Sequence, residues 1–201
     1  MVTLTINGVE VSVERGSTVL EAAQFFGFPI PTLCHMEGLS PYGACRLCVV
    51  EIGNGSRTQL VTSCTYPVVE SMTVRTASVR VVRTRRMIVE LLLASCPQSK
   101  TIQDIASALD VRQQRFRQEH EDCILCGRCV RMCSEQMAAG AIGFRGRGSH
   151  RGIGTPFDVS SEKCRLCGGC ANLAPPCVNK PRFDDMMCFM SPCVACEIKP
   201  D

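Results

Sequence analysis

Tryptophan is absent from these 201 residues and tyrosine occurs only twice, so the large aromatic side chains that dominate ordinary cores are scarce. Long apolar runs are lacking too. The best stretch, residues 87–94, falls far short of the roughly 18 apolar residues that suggest a bilayer-spanning helix, and it contains Glu90, so no direct membrane insertion is expected. The opening Met1-Val-Thr-Leu-Thr-Ile-Asn has no basic-then-apolar secretory pattern, which predicts a reducing, cytoplasmic setting. No strong excess of one charge is present either: the formal balance is +3, and nucleic-acid binding gains nothing from it. The glycines of residues 143–148 lack the G-x-G-x-x-G order and a surrounding strand-loop-helix unit, so no nicotinamide or flavin site is read there. What the chain has instead is cysteine, 16 in all. The thiols gather in C-x2-C units rather than spreading like a disulfide framework, which predicts inorganic clusters replacing much of an ordinary core.

The organising stretch is Cys123-Ile-Leu-Cys126-Gly-Arg-Cys129-Val-Arg-Met-Cys133, followed by Cys164-Arg-Leu-Cys167-Gly-Gly-Cys170. Three thiols in one tight loop can reach three irons of a cube, and this spacing is that of bacterial ferredoxins with [4Fe-4S] clusters. In such paired runs the fourth cysteine of one motif crosses to the other cluster. Cys133 is therefore expected to join Cys164, Cys167 and Cys170. Where the second run should supply its own fourth cysteine the chain has Ala174-Pro175, so Cys177 is the expected fourth ligand beside Cys123, Cys126 and Cys129. Structural zinc, gripped by ligand pairs from two separate loops, matches this spacing poorly.

Toward the N-terminus, two alternating apolar runs (Val2, Leu4, Ile6; Val9, Val11, Val13) flank Asn7-Gly8, which predicts a hairpin. Ser17 or Thr18 then caps a helix that stops at Gly27. Hairpin followed by helix is the opening of a β-grasp ferredoxin. Cys34, Cys45, Cys48 and Cys64 come next, with strands expected over residues 49–52, 60–62 and 72–76. A close pair flanked by two distant cysteines suits a [2Fe-2S] cluster, and by spacing alone it also suits a four-thiolate zinc site. Beyond it, a helix is expected over residues 78–94, with Arg80, Arg83, Arg85 and Arg86 in its first half read as a solvated face; docking to an acidic partner and counter-charge to the clusters are the functional alternatives. Thr101-Ile-Gln-Asp104 has the form of a capping box for another helix to about residue 109. Residues 142–157 read as an irregular hairpin whose Arg145, Arg147 and Arg151 lie near the clusters or an interface.

The strings Pro31-Thr-Leu-Cys34-His-Met-Glu-Gly-Leu-Ser-Pro-Tyr-Gly-Ala-Cys45-Arg-Leu-Cys48-Val-Val-Glu51 and Leu60-Val-Thr-Ser-Cys64-Thr-Tyr-Pro67 resemble the [2Fe-2S] domain of the large iron-sulfur subunit of respiratory complex I. They are also similar to the small diaphorase subunit of NAD-linked hydrogenases and formate dehydrogenases. The resemblance implies a [2Fe-2S] cluster rather than zinc at Cys34, Cys45, Cys48 and Cys64. It departs from the complex I subunit after Leu93, where no H-x3-C-x2-C run follows and Cys96 stands alone. The expected fold is α+β: a β-grasp [2Fe-2S] ferredoxin domain at 1–78, a helical connector at 79–112, a bacterial-type two-[4Fe-4S] ferredoxin domain at 113–182 and a cysteine-rich tail at 183–201.

In that tail Cys188, Cys193 and Cys196 are spaced C-x4-C-x2-C. They are read as ligands of an additional cluster or zinc, as thiols buried in an interface, or as a separate centre that takes Cys177 away from the first cubane. Three clusters with no recognisable nucleophile or acid-base pair predict an electron wire. The resemblance implies a subunit that relays electrons between a flavin- and NAD(P)-binding subunit and another redox subunit, of hydrogenase, formate dehydrogenase or transhydrogenase type. The alternative is a free-standing polyferredoxin.

Overall fold

The computed structural model describes residues 1–54, 57–112, 115–117 and 123–172. Asn7 and Gly8 both take left-handed φ values, 51° and 88°, and turn strand β1 (Val2–Ile6) back onto β2 (Val9–Val13). Both residues tolerate that region of φ, which a hairpin turn of the right twist requires. The Asn7 amide also ties the turn to the rest of the sheet, donating to Thr76 Oγ1 at 2.8 Å while its oxygen accepts from the Thr76 N–H at 2.9 Å.

Alternation then decides which face is buried. Val2, Leu4 and Ile6 are buried while Thr3 and Thr5 are partly exposed, the signature of a strand covered on one side. Strands β3 (Val49–Asn54), β4 (Arg57–Thr62) and β5 (Met72–Arg75) complete a five-stranded mixed sheet in the order β2-β1-β5-β3-β4. β1 and β5 run parallel, and the other neighbours run antiparallel.

Helix α1 (Val19–Phe25) lays Val19, Leu20, Ala22 and Ala23 into the core with Leu4, Ile6, Val50 and Val74. Each fully buried Leu or Ile there contributes roughly 1.5–3 kcal/mol. Thr18, not Ser17, is its cap: the Thr18 hydroxyl accepts from the Glu21 N–H and the Glu21 carboxylate accepts from the Thr18 N–H. The Val19 and Leu20 amides donate to the carbonyls of Tyr66 and Ser63, which straps the segment carrying Cys64 to the start of α1.

A second core lies beyond the sheet. Helix α2 (Val79–Ser95), capped by Ser78, and helix α3 (Lys100–Ala108) pack Val89, Ile102 and Ala106 against Leu33, Leu47 and the buried Cys34, Cys45, Cys96 and Cys126. The expected cap at Thr101 is corrected: Ser99 takes that place, its hydroxyl accepting from the Ile102 N–H, because α3 starts a residue before Thr101. Lys100 and Asp104 form an exposed i,i+4 pair instead.

The described residues beyond α3 include helix α4 (Arg128–Arg131), which widens into a π-helical turn over Met132–Gln136, the antiparallel pair β6 (Gly143–Arg145) and β7 (Gly152–Gly154), and the short α5 (Gly169–Asn172). The architecture is α+β. No helix among the described residues is long and apolar enough to cross a membrane.

Candidate iron-sulfur sites

Four cysteines meet at the first site from three directions. Cys34 comes from the extended stretch after α1, Cys45 and Cys48 from the loop leading into β3, and Cys64 from the turn after β4, and all four are buried. Their sulfurs form a chain of contacts: Cys45 with Cys34, Cys34 with Cys64, and Cys64 with Cys48, the last pair 3.4 Å apart. No three His, Cys, Asp or Glu side chains among the described residues are grouped as for a single ion. Backbone amides add to the set, with those of Cys45 and Ala44 serving Cys34, that of Leu47 serving Cys45 and that of Cys64 serving Cys48. Gly43 and Arg46, with φ of 69° and 60°, curl the loop that aims them.

The electrostatics test whether a positive core fits. The Cys34 thiol is held far below its ordinary range, first by the Cys45 thiol and then by Cys64. Cys48 is pulled down to about 6, chiefly by Cys64. Cys45 is pushed up chiefly by Cys34, and Cys64 by Cys34 and then Cys48. The two lowered thiols are thus the ones that accept from their neighbours, and the two raised thiols are the ones that donate. A core carrying positive charge, held by Cys34, Cys45, Cys48 and Cys64, would favour the thiolate form of all four, as bound metal does to thiols. The donor set fits an iron-sulfur core.

The second domain repeats one loop twice. Leu125 and Gly127 have φ of 54° and 70°, and their counterparts Leu166 and Gly168 have 53° and 66°. The Leu125 N–H donates to Cys123 Sγ at 3.3 Å, and the Leu166 N–H donates to Cys164 Sγ at 3.4 Å. Cys126 and Cys129 are buried, which raises both thiols, Cys129 to about 12. Cys133 leaves this group. It lines a small apolar cavity with Cys164, Cys167 and Cys170, and the Ala141 N–H donates to its sulfur at 3.3 Å. Burial likewise raises Cys170. Cys177, Ala174 and the tail cysteines Cys188, Cys193 and Cys196 lie outside the described residues.

Between the two sites stands a contact that the sequence reading missed. Arg131, buried between Cys129 and Cys133 in the chain, sends Nη2 to the carbonyl of Cys34 at 2.5 Å and Nη1 to that of Ser40. Glu135 receives the Ser40 N–H at 2.7 Å and its hydroxyl, and Gln136 donates to the Gly38 carbonyl. Those two Ser40 hydrogen bonds hold the Glu135 carboxyl below its usual range. Tyr42 stacks on Phe144 with centroids 5.9 Å apart, beneath the guanidinium of Arg131, and Arg151 lies over Phe144 and donates to the Tyr42 hydroxyl. Tyr42 is thus a packing residue at the domain junction, and Arg151 lies at that junction. His35 is partly buried, with Nδ1 lacking a hydrogen-bond partner among the described residues.

The solvated face read for the α2 arginines needs one correction. Arg80 reaches Glu51, Arg83 is exposed and Arg86 donates to the Leu109 carbonyl, but Arg85 is buried. The signal was present: Val81, Arg85 and Val89 recur every four residues, so Arg85 falls on the buried stripe of the helix.

Comparisons with known proteins agree with this geometry. Residues 1–79 match the family described as a 2Fe-2S iron-sulfur cluster binding domain, and residues 122–176 match the 4Fe-4S dicluster domain. These stretches thus resemble a [2Fe-2S] domain followed by a two-cluster [4Fe-4S] domain. More particularly, the chain is similar to part of the subunits of NADH- and NADP-linked oxidoreductases. It is 33% identical to an NADH-quinone oxidoreductase subunit of Rhizobium meliloti over 87% of its own length and 23% of that protein. With the NADP-reducing hydrogenase subunit HndD of Solidesulfovibrio fructosivorans it shares 31% identity, covering 87% of this chain and 35% of that one. The chain thus spans about a quarter to a third of the curated relatives it matches. A chain in the crystal structure of an NAD+-reducing [NiFe]-hydrogenase in the H2-reduced state superposes with a TM-score of 0.69 at 27% identity, covering 83% of this chain and 84% of that chain.

Proposed function

We propose that this chain is an electron-relay segment of an NAD(P)-linked oxidoreductase complex, placed between a flavin- and NAD(P)-binding subunit and another redox subunit. Cys34, Cys45, Cys48 and Cys64 would hold a [2Fe-2S] cluster in a β-grasp domain. Cys123, Cys126, Cys129 and Cys177 would hold one [4Fe-4S] cluster, and Cys133, Cys164, Cys167 and Cys170 a second. Bound clusters of these types supply one-electron transfer.

The observation that carries the proposal is the shared packing of the two ligand sets: Cys34, Cys45 and Cys126 belong to one buried core, and Arg131 joins the Cys34 carbonyl to the helix between Cys129 and Cys133. Residues that only needed separate structural metals would have no reason to bring these loops together. The protein's own work is to fix those loops, to exclude water from the sulfurs and to donate backbone N–H groups to them, the levers by which proteins set cluster potentials. A cytoplasmic location and a hydrogenase, formate dehydrogenase or transhydrogenase partner follow from the same reading.

Anaerobic iron, sulfide and zinc analysis with low-temperature EPR tests it. About ten iron and ten sulfide per chain are expected, with one [2Fe-2S] and two [4Fe-4S] signals. Zinc in place of iron would overturn the proposal. Co-expression with the flavin subunit should let NADH or NADPH reduce the centres. A loaded chain that never associates with such a subunit would instead be a free polyferredoxin.

A further inference from the structure

Arg85 differs from the other arginines of α2. It is 5% exposed, and Val81 and Val89, one turn to either side, are fully buried. Its Nε donates to the Leu47 carbonyl at 3.2 Å and its Nη2 to the Val49 carbonyl at 2.7 Å, so the guanidinium is clamped at both residues flanking Cys48. No carboxylate among the described residues forms an ion pair with it. Burial pulls the Arg85 pKa down, because it penalises the charged guanidinium. A buried cation needs a counter-charge, and two carbonyl dipoles do not supply one.

The missing charge has a source beside it. Four thiolates on a [2Fe-2S] core leave a net charge of about −2 when oxidised, one unit more negative after one-electron reduction. A cation fixed beside one ligand in a low-dielectric interior stabilises the reduced form more than the oxidised form, and salt screens it little.

We propose that Arg85 is the internal counter-cation of the [2Fe-2S] centre and that its charge raises the reduction potential of that centre. The proposal rests on the reading that Cys34, Cys45, Cys48 and Cys64 hold the cluster. The clamp explains why an arginine stands here: its two donors hold the charge at Cys48 while the aliphatic stem packs beside Val81 and Val89.

EPR-monitored redox titration of the anaerobically purified chain, as wild type and as R85Q, R85K and R83Q, tests it. In R85Q the ratio of reduced to oxidised [2Fe-2S] centre at a fixed potential should fall about tenfold, a midpoint roughly 59 mV more negative for a one-electron couple. R85K keeps the charge and R83Q removes an exposed one, so both midpoints should stay near wild type. An R85Q protein that keeps its [2Fe-2S] signal with an unmoved midpoint overturns the proposal. So does an R85K midpoint as low as that of R85Q, which would assign the effect to the clamp's hydrogen bonds. Should R85Q fail to load, a loaded R85K at the wild-type midpoint supports the proposal, and an unloaded R85K makes Arg85 structural and overturns it. Wild type without a [2Fe-2S] signal removes the ligand reading itself, and the proposal with it.

Discussion

Gly127 shows how tightly single residues are constrained at the cluster loops. A Cβ there would meet Phe144 Cζ at 2.9 Å and Tyr42 Cε1 at 3.1 Å, and its φ of 70° is one that side-chain-bearing residues rarely adopt. G127A should therefore destabilise the protein by roughly 1–3 kcal/mol and push the Tyr42–Phe144 stack apart, read by thermal unfolding of the loaded protein. At Gly168, the matching position of the second loop, a Cβ has only Asn172 Nδ2 nearby among the described residues, at 3.8 Å. G168A should feel the backbone strain alone and cost less. Cys133 gives a sharper expectation, because it lines the cavity of the second motif although it follows the first in sequence. C133S and C164S should remove the same [4Fe-4S] EPR signal, and C123S the other one. If C133S and C123S remove the same signal instead, the crossover is wrong.

Elements show what local pattern can and cannot encode. The hairpin at Asn7-Gly8, the helix after Ser17-Thr18 and the span of α2 to within a residue were legible because each depends on neighbours within a few residues: a period of two, a hydroxyl residue before an apolar stretch, and a helical period. The start of α3 was misplaced because Ser99 and Thr101 both offer a hydroxyl near the first turn, and Ser99 takes the cap. Burial of Glu90 on α2 was illegible, since it depends on Arg115, 25 residues away, which grips the carboxylate at 2.6 Å. That guanidinium holds the Glu90 carboxyl below its usual range, and hydrogen bonding by Ser78 leads the same effect at Glu51. Their lowered pKa values make both groups stabilising above the unfolded value of about 4.3, and the contribution is lost as pH falls through the folded values. E90Q should thus unfold more readily than wild type at neutral pH and show a flatter loss of stability as pH falls below about 4.3. Circular dichroism melts across that range, with cluster absorbance followed separately, would measure it; equal slopes for the two proteins would remove Glu90 from the account.

At the scale of the whole molecule, the cysteine spacing predicted which thiols gather, Cys34 with Cys45, Cys48 and Cys64, and Cys133 with Cys164, Cys167 and Cys170, because cluster chemistry writes itself into short intervals. The junction of the two domains left no such trace. Its partners, Arg131 with Cys34 and Ser40, Glu135 with Ser40, and Tyr42 with Phe144, are separated by 91 to 102 residues and follow no period. Yet the junction makes the two ligand sets one body, since a buried guanidinium held by two carbonyls cannot slide without exposing unmatched polar groups to the interior. Cooperative unfolding follows from that coupling: the loaded wild-type protein should melt in one calorimetric transition covering both domains. R131A removes the clasp and leaves the carbonyls of Cys34 and Ser40 without their donor. It should lower the transition and split it in two, with the [2Fe-2S] and [4Fe-4S] absorbances lost at different temperatures. A single transition in R131A, merely shifted, would mean that the apolar core shared by Cys34, Cys45 and Cys126 couples the domains without the arginine.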